Sequence, residues 1–333
     1  MPVTSYLYDA KGRDQKVSLS AKTLKQIGRE RLLWIDVDSR DAAELEQVAQ
    51  ALGLSDDCLA NLIEPRGARL QNFGTYIQVA VETAPAIVDM EAFARQPSGS
   101  PTKPHMRLDF VINKGWLLTV HDGEIEFIRA FRAQERAETT IGSLTTHDFA
   151  ASLLDLHLEA YFQEVARIEG LIDKLDEQAL TRPSSKSLLG RMVSLRRRVS
   201  RLRTLLSAQR PVFYGLSRPD LQNIAQAGAS SHFQILASRF ERAIDEVEHT
   251  RDLVVGSFEL FASRTAQQTN ELVKVLTFLT AVIGFCAAIA GVFGMNFETG
   301  FFASGDFGFY FTIAMLFAII VVSAMIARWQ RWL

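Results

Sequence analysis

Two stretches near the C-terminus limit what this chain can fold into: Val275 to Phe293 and Phe307 to Ala327 hold no Asp, Glu, Lys or Arg. Each is close to the ~20 apolar residues that an α-helix needs to cross a bilayer core about 30 Å thick. Runs of this length favour a membrane over a pair of buried core helices. Composition alone would not say so, because the net charge is only −2 and charged residues make up 22% of the chain. The flanks set an expected orientation. Arg264 and Lys274 precede the first run, and Arg328 and Arg331 follow the second. The loop from Asn296 to Asp306 carries Glu298 and Asp306 and no basic residue. By the positive-inside rule both termini face the cytoplasm, from an inner or plasma membrane, with Trp329, Trp332 and Tyr310 as interface anchors.

Upstream of the first run the helical signal continues. Pro219 is the last proline, and a helix capped by Ser230 or Ser231 meets no stop before Gly294. Apolar residues recur at Phe233, Leu236, Phe240, Ile244, Val247, Val254, Phe258 and Phe261. At about 1.5 Å per residue such a helix is some 90 to 100 Å long and needs partners along its length. Before it, Phe149 to Leu180 and Leu188 to Leu206 have helical spacing and are separated at Pro183. The first carries Glu164, Glu169, Asp173, Asp176 and Glu177; the second carries Lys186, Arg191, Arg196, Arg197, Arg198, Arg201 and Arg203. An antiparallel hairpin with a solvated, partly paired surface accounts for both. The basic helix lacks the aromatic interleaving and motif of a nucleic-acid reader, so no nucleic-acid partner is expected.

The N-terminal part alternates. Leu32 to Val37, Tyr76 to Val81, Leu108 to Ile112 and Trp116 to Val120 are rich in β-branched and aromatic residues and read as strands, the last two joined by a turn at Asn113-Lys114-Gly115. Asp41 to Leu52 and Asp56 to Ile63 have helical spacing, and Gln96 to Pro104 is a Pro-rich surface loop. A soluble α/β or α+β domain follows. Met1 to Ser20 lacks the apolar core of a secretory signal, and Cys58 and Cys286 are too few and too differently placed for a disulfide framework. The expected division is an α/β domain over 1–145, a helical hairpin over 146–226, a stalk helix over 227–274, a first span over 275–293, a loop over 294–306, a second span over 307–327 and a tail over 328–333.

The end of the first span, Gly291-Val292-Phe293-Gly294-Met295-Asn296, resembles the CorA family of two-span divalent-cation transporters, whose signature is Gly-Met-Asn at this place. The resemblance extends to Asn270 through Thr277 entering the span, the Asn-Phe-Glu continuation, the short loop, the final Trp332-Leu333, and Trp34 to Val37 and Leu117 to His121 in the soluble part. It implies an α/β cytoplasmic domain followed by long helices and two transmembrane helices, assembled as a funnel-shaped homopentamer in the lipid bilayer. Five first spans would line a pore and five second spans would form an outer ring. The implied cargo is Mg2+, with Co2+ or Ni2+ alongside; no enzyme activity and no cofactor are implied.

On this reading Asn270, Val273, Leu276, Thr277, Thr280, Gly284, Ala287 and Gly291 share one helical stripe along the pore, although Gly284 and Gly291 suit close helix packing equally well. Gly294, Met295 and Asn296 form the selectivity motif. Mg2+ dehydrates reluctantly, so a ring of Asn296 amide oxygens that accepts hydrogen bonds from the ion's waters selects it without trapping it. Gly294 would give backbone freedom where the helix ends, and Met295 would fix the turn by packing. Glu298 and Asp306 would concentrate cations at the outer mouth. Leu276 would gate by dewetting. Gly284 departs from the bulky residue of the best-known members, and the absence of proline near Phe285 and Cys286 predicts a straighter helix.

Asp245, Glu248 and Asp252 are candidates for intracellular Mg2+ sensing, with a solvated helix face as the plainer reading. The place of the family's regulatory carboxylate falls on Ile235. No phosphate-cradling loop is present, and a divalent ion moving inward gains about 4.6 kcal/mol per 100 mV. Zn2+ uptake, with or without proton coupling, is the alternative cargo, although the histidines form no evident ligand cluster in sequence. A membrane-anchored enzyme is a further alternative, but Met1 to Thr145 arranges no nucleophile beside a base. A membrane-tethered scaffold would tolerate Asn296→Ala.

Overall fold

The computed structural model describes residues 3–11, 13–28, 30–64, 66–84, 106–133, 141–181, 186–218, 229–295 and 306–329. Seven strands, β1 (Val3–Asp9), β2 (Gln15–Val17), β3 (Arg31–Val37), β4 (Arg69–Asn72), β5 (Tyr76–Glu82), β6 (Arg107–Asn113) and β7 (Trp116–His121), form one sheet in the order β2-β1-β3-β7-β6-β5-β4. All neighbouring pairs are antiparallel except β3 and β7, which run parallel with Ile35 opposite Leu118. The central strands are buried on both faces, which is why their sequences read as unbroken apolar runs.

One face of the sheet packs on α1 (Ala21–Leu24), α2 (Ala42–Leu52) and α3 (Asp56–Ile63). Leu33, Ile35, Val37, Val111, Leu118 and Val120 meet Leu45, Val48, Cys58 and Leu62 there. Asp41 and Ser55 cap α2 and α3 by accepting from the amides of Glu44 and Cys58, and Gly53 closes α2 in the left-handed conformation at φ 67°. The opposite face centres on Trp34. It stacks on Tyr6 at 5.4 Å between ring centres and meets the edges of Phe131 and Phe149 at 5.7 Å. Phe131 belongs to α4 (Glu126–Ala133) and Phe149 to α5 (Thr146–Thr181).

Each face also holds a buried ionic cluster. On the first, Asp109 accepts from Arg107 at 2.8 and 2.6 Å and from Arg40 at 2.8 Å, while Arg40 also bonds the carbonyl of Leu62 at the end of α3. On the second, Asp36 accepts from Thr119 and Arg132, and Trp34 donates to Thr119 at 3.0 Å. Carboxylates this deep are tolerated only with their partners in place.

Beyond the sheet run α6 (Lys186–Ala208), α7 (Arg210–Leu216), α8 (Ala229–Phe293) and α9 (Asp306–Trp329). The break between α6 and α7 falls at Gln209, which is fully buried. Its amide nitrogen donates to the Glu82 carbonyl and the Tyr161 hydroxyl at 3.0 Å each, and its oxygen lies 2.9 Å from His157 Nε2. Phe213 then stacks on Phe240 of α8 at 4.4 Å. Glu164 is paired with Arg198 of α6, and Thr250 of α8 donates to Glu169 at 3.0 Å. The residues separate into two compact units: 1–175 with 186–257, and 176–185 with 258–333.

Two outcomes follow from the buried polar groups. Burial lowers the His157 pKa to about 4, the Gln209 hydrogen bond opposing this only in part, and burial lowers that of His147 too. An unfolded chain takes up these protons as pH falls below about 6.5, whereas the folded His157 resists until about 4. Thermal unfolding across pH 7 to 4 is therefore expected to show stability lost through that window, on the order of 3 kcal/mol from His157, and His157→Gln should flatten that part of the profile. Desolvation raises the Glu164 pKa despite the Arg198 charge beside it. Arg198→Ala leaves this carboxylate buried and unpaired and should cost about 3 to 5 kcal/mol by denaturant unfolding.

Candidate functional site

From Ala229 to Phe293 the α8 backbone is one uninterrupted helix, with no break near Phe285 and Cys286 where a proline would have kinked it. Its second half is covered on one side only. Val275, Phe278, Val282, Cys286, Ile289 and Phe293, three or four residues apart, are half-buried. Asn270, Val273, Leu276, Thr277, Thr280, Gly284, Ala287 and Gly291 are all exposed. At about 100° per residue the two sets lie on opposite sides of the helix, so the predicted stripe runs along the middle of a broader uncovered face that also exposes Leu272, Ile283, Phe285 and Val292. Thr269, which sequence reasoning passed over, extends that stripe by one position, and it too is exposed.

The chemistry of the stripe is apolar with spaced hydroxyls. Thr280 donates its proton to the Leu276 carbonyl at 2.8 Å, and Thr269 donates to the Thr265 carbonyl at 3.0 Å. With the proton committed to the backbone, each hydroxyl oxygen is left as an acceptor, the polarity that the water shell of a cation needs. Leu276 is 64% exposed, which places a large apolar side chain on the same face. A Cβ added at Gly284 or Gly291 would meet nothing of its own chain within 4 Å.

The helix closes at Gly294, whose amide bonds the carbonyls of Ala290 at 2.9 Å and Gly291 at 3.2 Å. Its φ is not among the positive values, and an added Cβ would stand 3.3 Å from the Ala290 carbonyl oxygen. Close approach, rather than a left-handed turn, is therefore what glycine supplies here. Met295 is 51% exposed, so within its own chain it does not fix the turn by packing as expected from the sequence. Asn296 and Glu298 lie outside the described residues. Asp306 is exposed at the start of α9, where the helix dipole favours its negative charge.

The acids considered for sensing are not drawn together. Glu248 pairs with Arg203 at 3.2 Å and Asp252 with Arg251 at 3.4 Å, whereas Asp245 stands exposed. Among the described residues no three His, Cys, Asp or Glu side chains form a metal-holding group. Their spacing puts them along one solvated helix face, and neighbouring arginines take up two of the three. In the soluble domain a cleft of about 570 Å³ lies between α4 and α5, but its lining residues include no Ser, Cys or His to act as nucleophile or imidazole base, and Glu164 within it is held by Arg198.

These elements define an integral membrane protein in which a soluble α/β domain and long helices lead into two apolar helices, Ala229–Phe293 and Asp306–Trp329. The model of the CorA-like Mg2+ transporter protein family matches residues 29–331, so the chain belongs to that family and is a divalent-cation transporter, not an enzyme. The cobalt/magnesium transport protein CorA of Thermotoga maritima is 30% identical over 182 residues, 55% of this chain and 51% of that one. The complete structure of the CorA magnesium transporter from Methanocaldococcus jannaschii superposes with a TM-score of 0.71 at 20% identity, covering 100% of this chain and 99% of that one. The ZntB cytoplasmic domain from Vibrio parahaemolyticus does so with a TM-score of 0.59 at 7% identity, over 80% of this chain and 100% of that domain. Both superpositions establish the shared fold.

The spans carry an insertion prediction. Phe317 sits in the middle of α9 and is 67% exposed. Phe317→Arg should disfavour insertion by about 3 kcal/mol and shift the chain from the membrane to the soluble or degraded fraction on carbonate extraction.

Proposed function

We propose that the chain is a homopentameric Mg2+ influx pathway in which five copies of α8 surround an axis and a ring of Asn296 selects the hydrated ion. The observation that carries this reading is the uncovered stripe from Asn270 to Gly291, opposite the half-buried side of the same helix. A face of small, apolar and hydroxyl-bearing residues suits a narrow axial path better than lipid contact alone. Leu276 is the apolar constriction on that path, and Gly284 leaves no second one. Thr269, Thr277 and Thr280 offer acceptor oxygens to the ion's waters, and Asn296 offers the final amide oxygens at the mouth. Glu298 and Asp306 raise the local cation concentration outside.

Both termini lie in the cytoplasm, and the membrane potential supplies the drive at about 4.6 kcal/mol per 100 mV for a divalent ion. The likeness to the ZntB domain raises Zn2+ as the alternative cargo. Zn2+ favours nitrogen and sulfur ligands, whereas the exposed hydroxyl oxygens of Thr269, Thr277 and Thr280 suit the water shell of Mg2+.

The test is ion flux into liposomes under an imposed inside-negative potential, with Mg2+, Co2+ and Zn2+ offered separately. Wild type is expected to carry Mg2+ and Co2+. Asn296→Ala should lower Mg2+ flux by about tenfold or more, the loss of one oriented acceptor per subunit at a selectivity ring. Flux of Zn2+ alone, or full Mg2+ flux in Asn296→Ala, would replace this reading with zinc transport or with a scaffold role.

A further inference from the structure

Polar side chains join α5 to α8 at three levels among the described residues. His232 meets Asp148, Arg239 meets Asp155 and Glu159, and Thr250 meets Glu169, so the two helices run parallel. Arginine and threonine keep their charge state near neutral pH, whereas an imidazole changes its own between pH 5 and 8. Of these levels the first, at the start of α8, is therefore the one that can respond to pH.

The acceptor at that level is held in place before His232 reaches it. Thr145 precedes α5; its hydroxyl accepts from the Asp148 amide at 3.1 Å and donates to Asp148 Oδ2 at 2.7 Å. This cap pins the carboxylate and leaves Oδ1 directed at His232 Nδ1, 2.7 Å away. Burial opposes ionisation of Asp148, but the hydrogen bonds from Thr145 and His232 and the charge of His232 outweigh it, so the carboxyl is held below its usual range. The α5 dipole favours the anion as well. The His232 side chain is 54% exposed, which leaves it open to protons from solvent.

Neighbouring ionisable groups among the described residues do not compete for this role. His147 is fully buried, and desolvation lowers its pKa, with Asp148 opposing this and Lys114 of the β6–β7 turn adding to it. Asp155 is held by Arg239 two turns further on. Between Ser231 and Ser238 α8 carries no other ionisable side chain.

We propose that His232 and Asp148 form a pH-sensitive clasp that fastens the start of α8 to the start of α5 more firmly in acid. Protonated, His232 makes an ion pair with Asp148; neutral, it keeps one hydrogen bond from Nδ1–H. The clasp sits at the beginning of the helix that continues as the first apolar run, so pH sets how firmly its first turns are anchored. Neither the identity of the cargo nor the number of copies enters this inference.

Hydrogen exchange of the full-length protein in detergent tests it, read by mass spectrometry over residues 233–240 and corrected for the intrinsic rate at each pH. In wild type, protection there should rise about two- to fivefold from pH 8 to pH 6, the range of an exposed ion pair. His232→Gln, a donor that does not titrate, should show the looser value at both pH values. His232→Arg, charged throughout, should show the tighter one at both. Global stability moves the other way, because the buried histidines make it fall on acidification. Equal wild-type protection at the two pH values would overturn the clasp. So would a pH response retained in His232→Gln, His232→Arg as loose as wild type at pH 8, or an equal response over residues 156–165 in the middle of α5.

Discussion

Inside a bilayer a backbone has no water to bond, so each amide and carbonyl must be satisfied within the segment that crosses. In this chain that requirement is met by extending a helix that has already begun outside the membrane. The hydrogen-bond ladder of α8 continues without a proline, a bulge or a glycine hinge from Ala229 to Phe293. Residues that pack against the hairpin helices and residues of the first apolar run are therefore turns of one helix. The soluble part of the molecule can be understood as what holds the first of these turns in place.

The soluble domain does this through buried polar groups as much as through apolar packing. Asp36 and Asp109 sit on opposite faces of the sheet, Asp36 paired with Arg132 of α4, and Asp109 with Arg107 of its own strand and with Arg40 from outside it. Gln209 ties the end of β5, the helix α5 and the α6–α7 break to one another, and Phe213 passes that position to Phe240 of α8. Apolar packing tolerates small slips, whereas a buried carboxylate or amide loses its partner when it slips. These networks thus define a unique register for elements that burial alone would leave adjustable.

How much of this could be read in advance depended on where each segment is buried. The strands β3, β5, β6 and β7 were legible because burial on both faces makes them continuous apolar runs. Strands β1, β2 and β4 escaped notice: Ser5 and Asp9, Gln15 and Lys16, and Arg69 and Gln71 interrupt the pattern, and β2 and β4 are the sheet edges, where polar residues are tolerated. The parallel pairing of β3 with β7 joins residues some eighty positions apart and has no local signature. The break at Gln209 has a local signal that the apolar spacing did not register, Pro211 in the first turn of α7, whereas the bond from Gln209 to Glu82 in the sheet has none. By contrast the helical spacing of the stripe in α8 was readable, because a 3.6-residue period is written directly in a helix, and its residues fall among the exposed ones. What that period could not reveal was how far Met295 would be exposed, or that Asp245, Glu248 and Asp252 would be divided between arginines and solvent.

The burial of Cys58 has a practical consequence for watching this molecule work. Its side chain lies wholly within the sheet–helix core, and desolvation pushes its thiol up to about 12, Asp109 adding to the rise and a Tyr76 hydrogen bond reducing it. Near neutral pH it holds almost no nucleophilic thiolate, and no reagent can approach it without unfolding. Cys286, half-covered on the first apolar helix, is the remaining thiol of the two in the sequence. Native protein treated with a membrane-permeant maleimide thus acquires its probe at one place, on the side of α8 that faces away from the stripe, with no engineered cysteine-free background required.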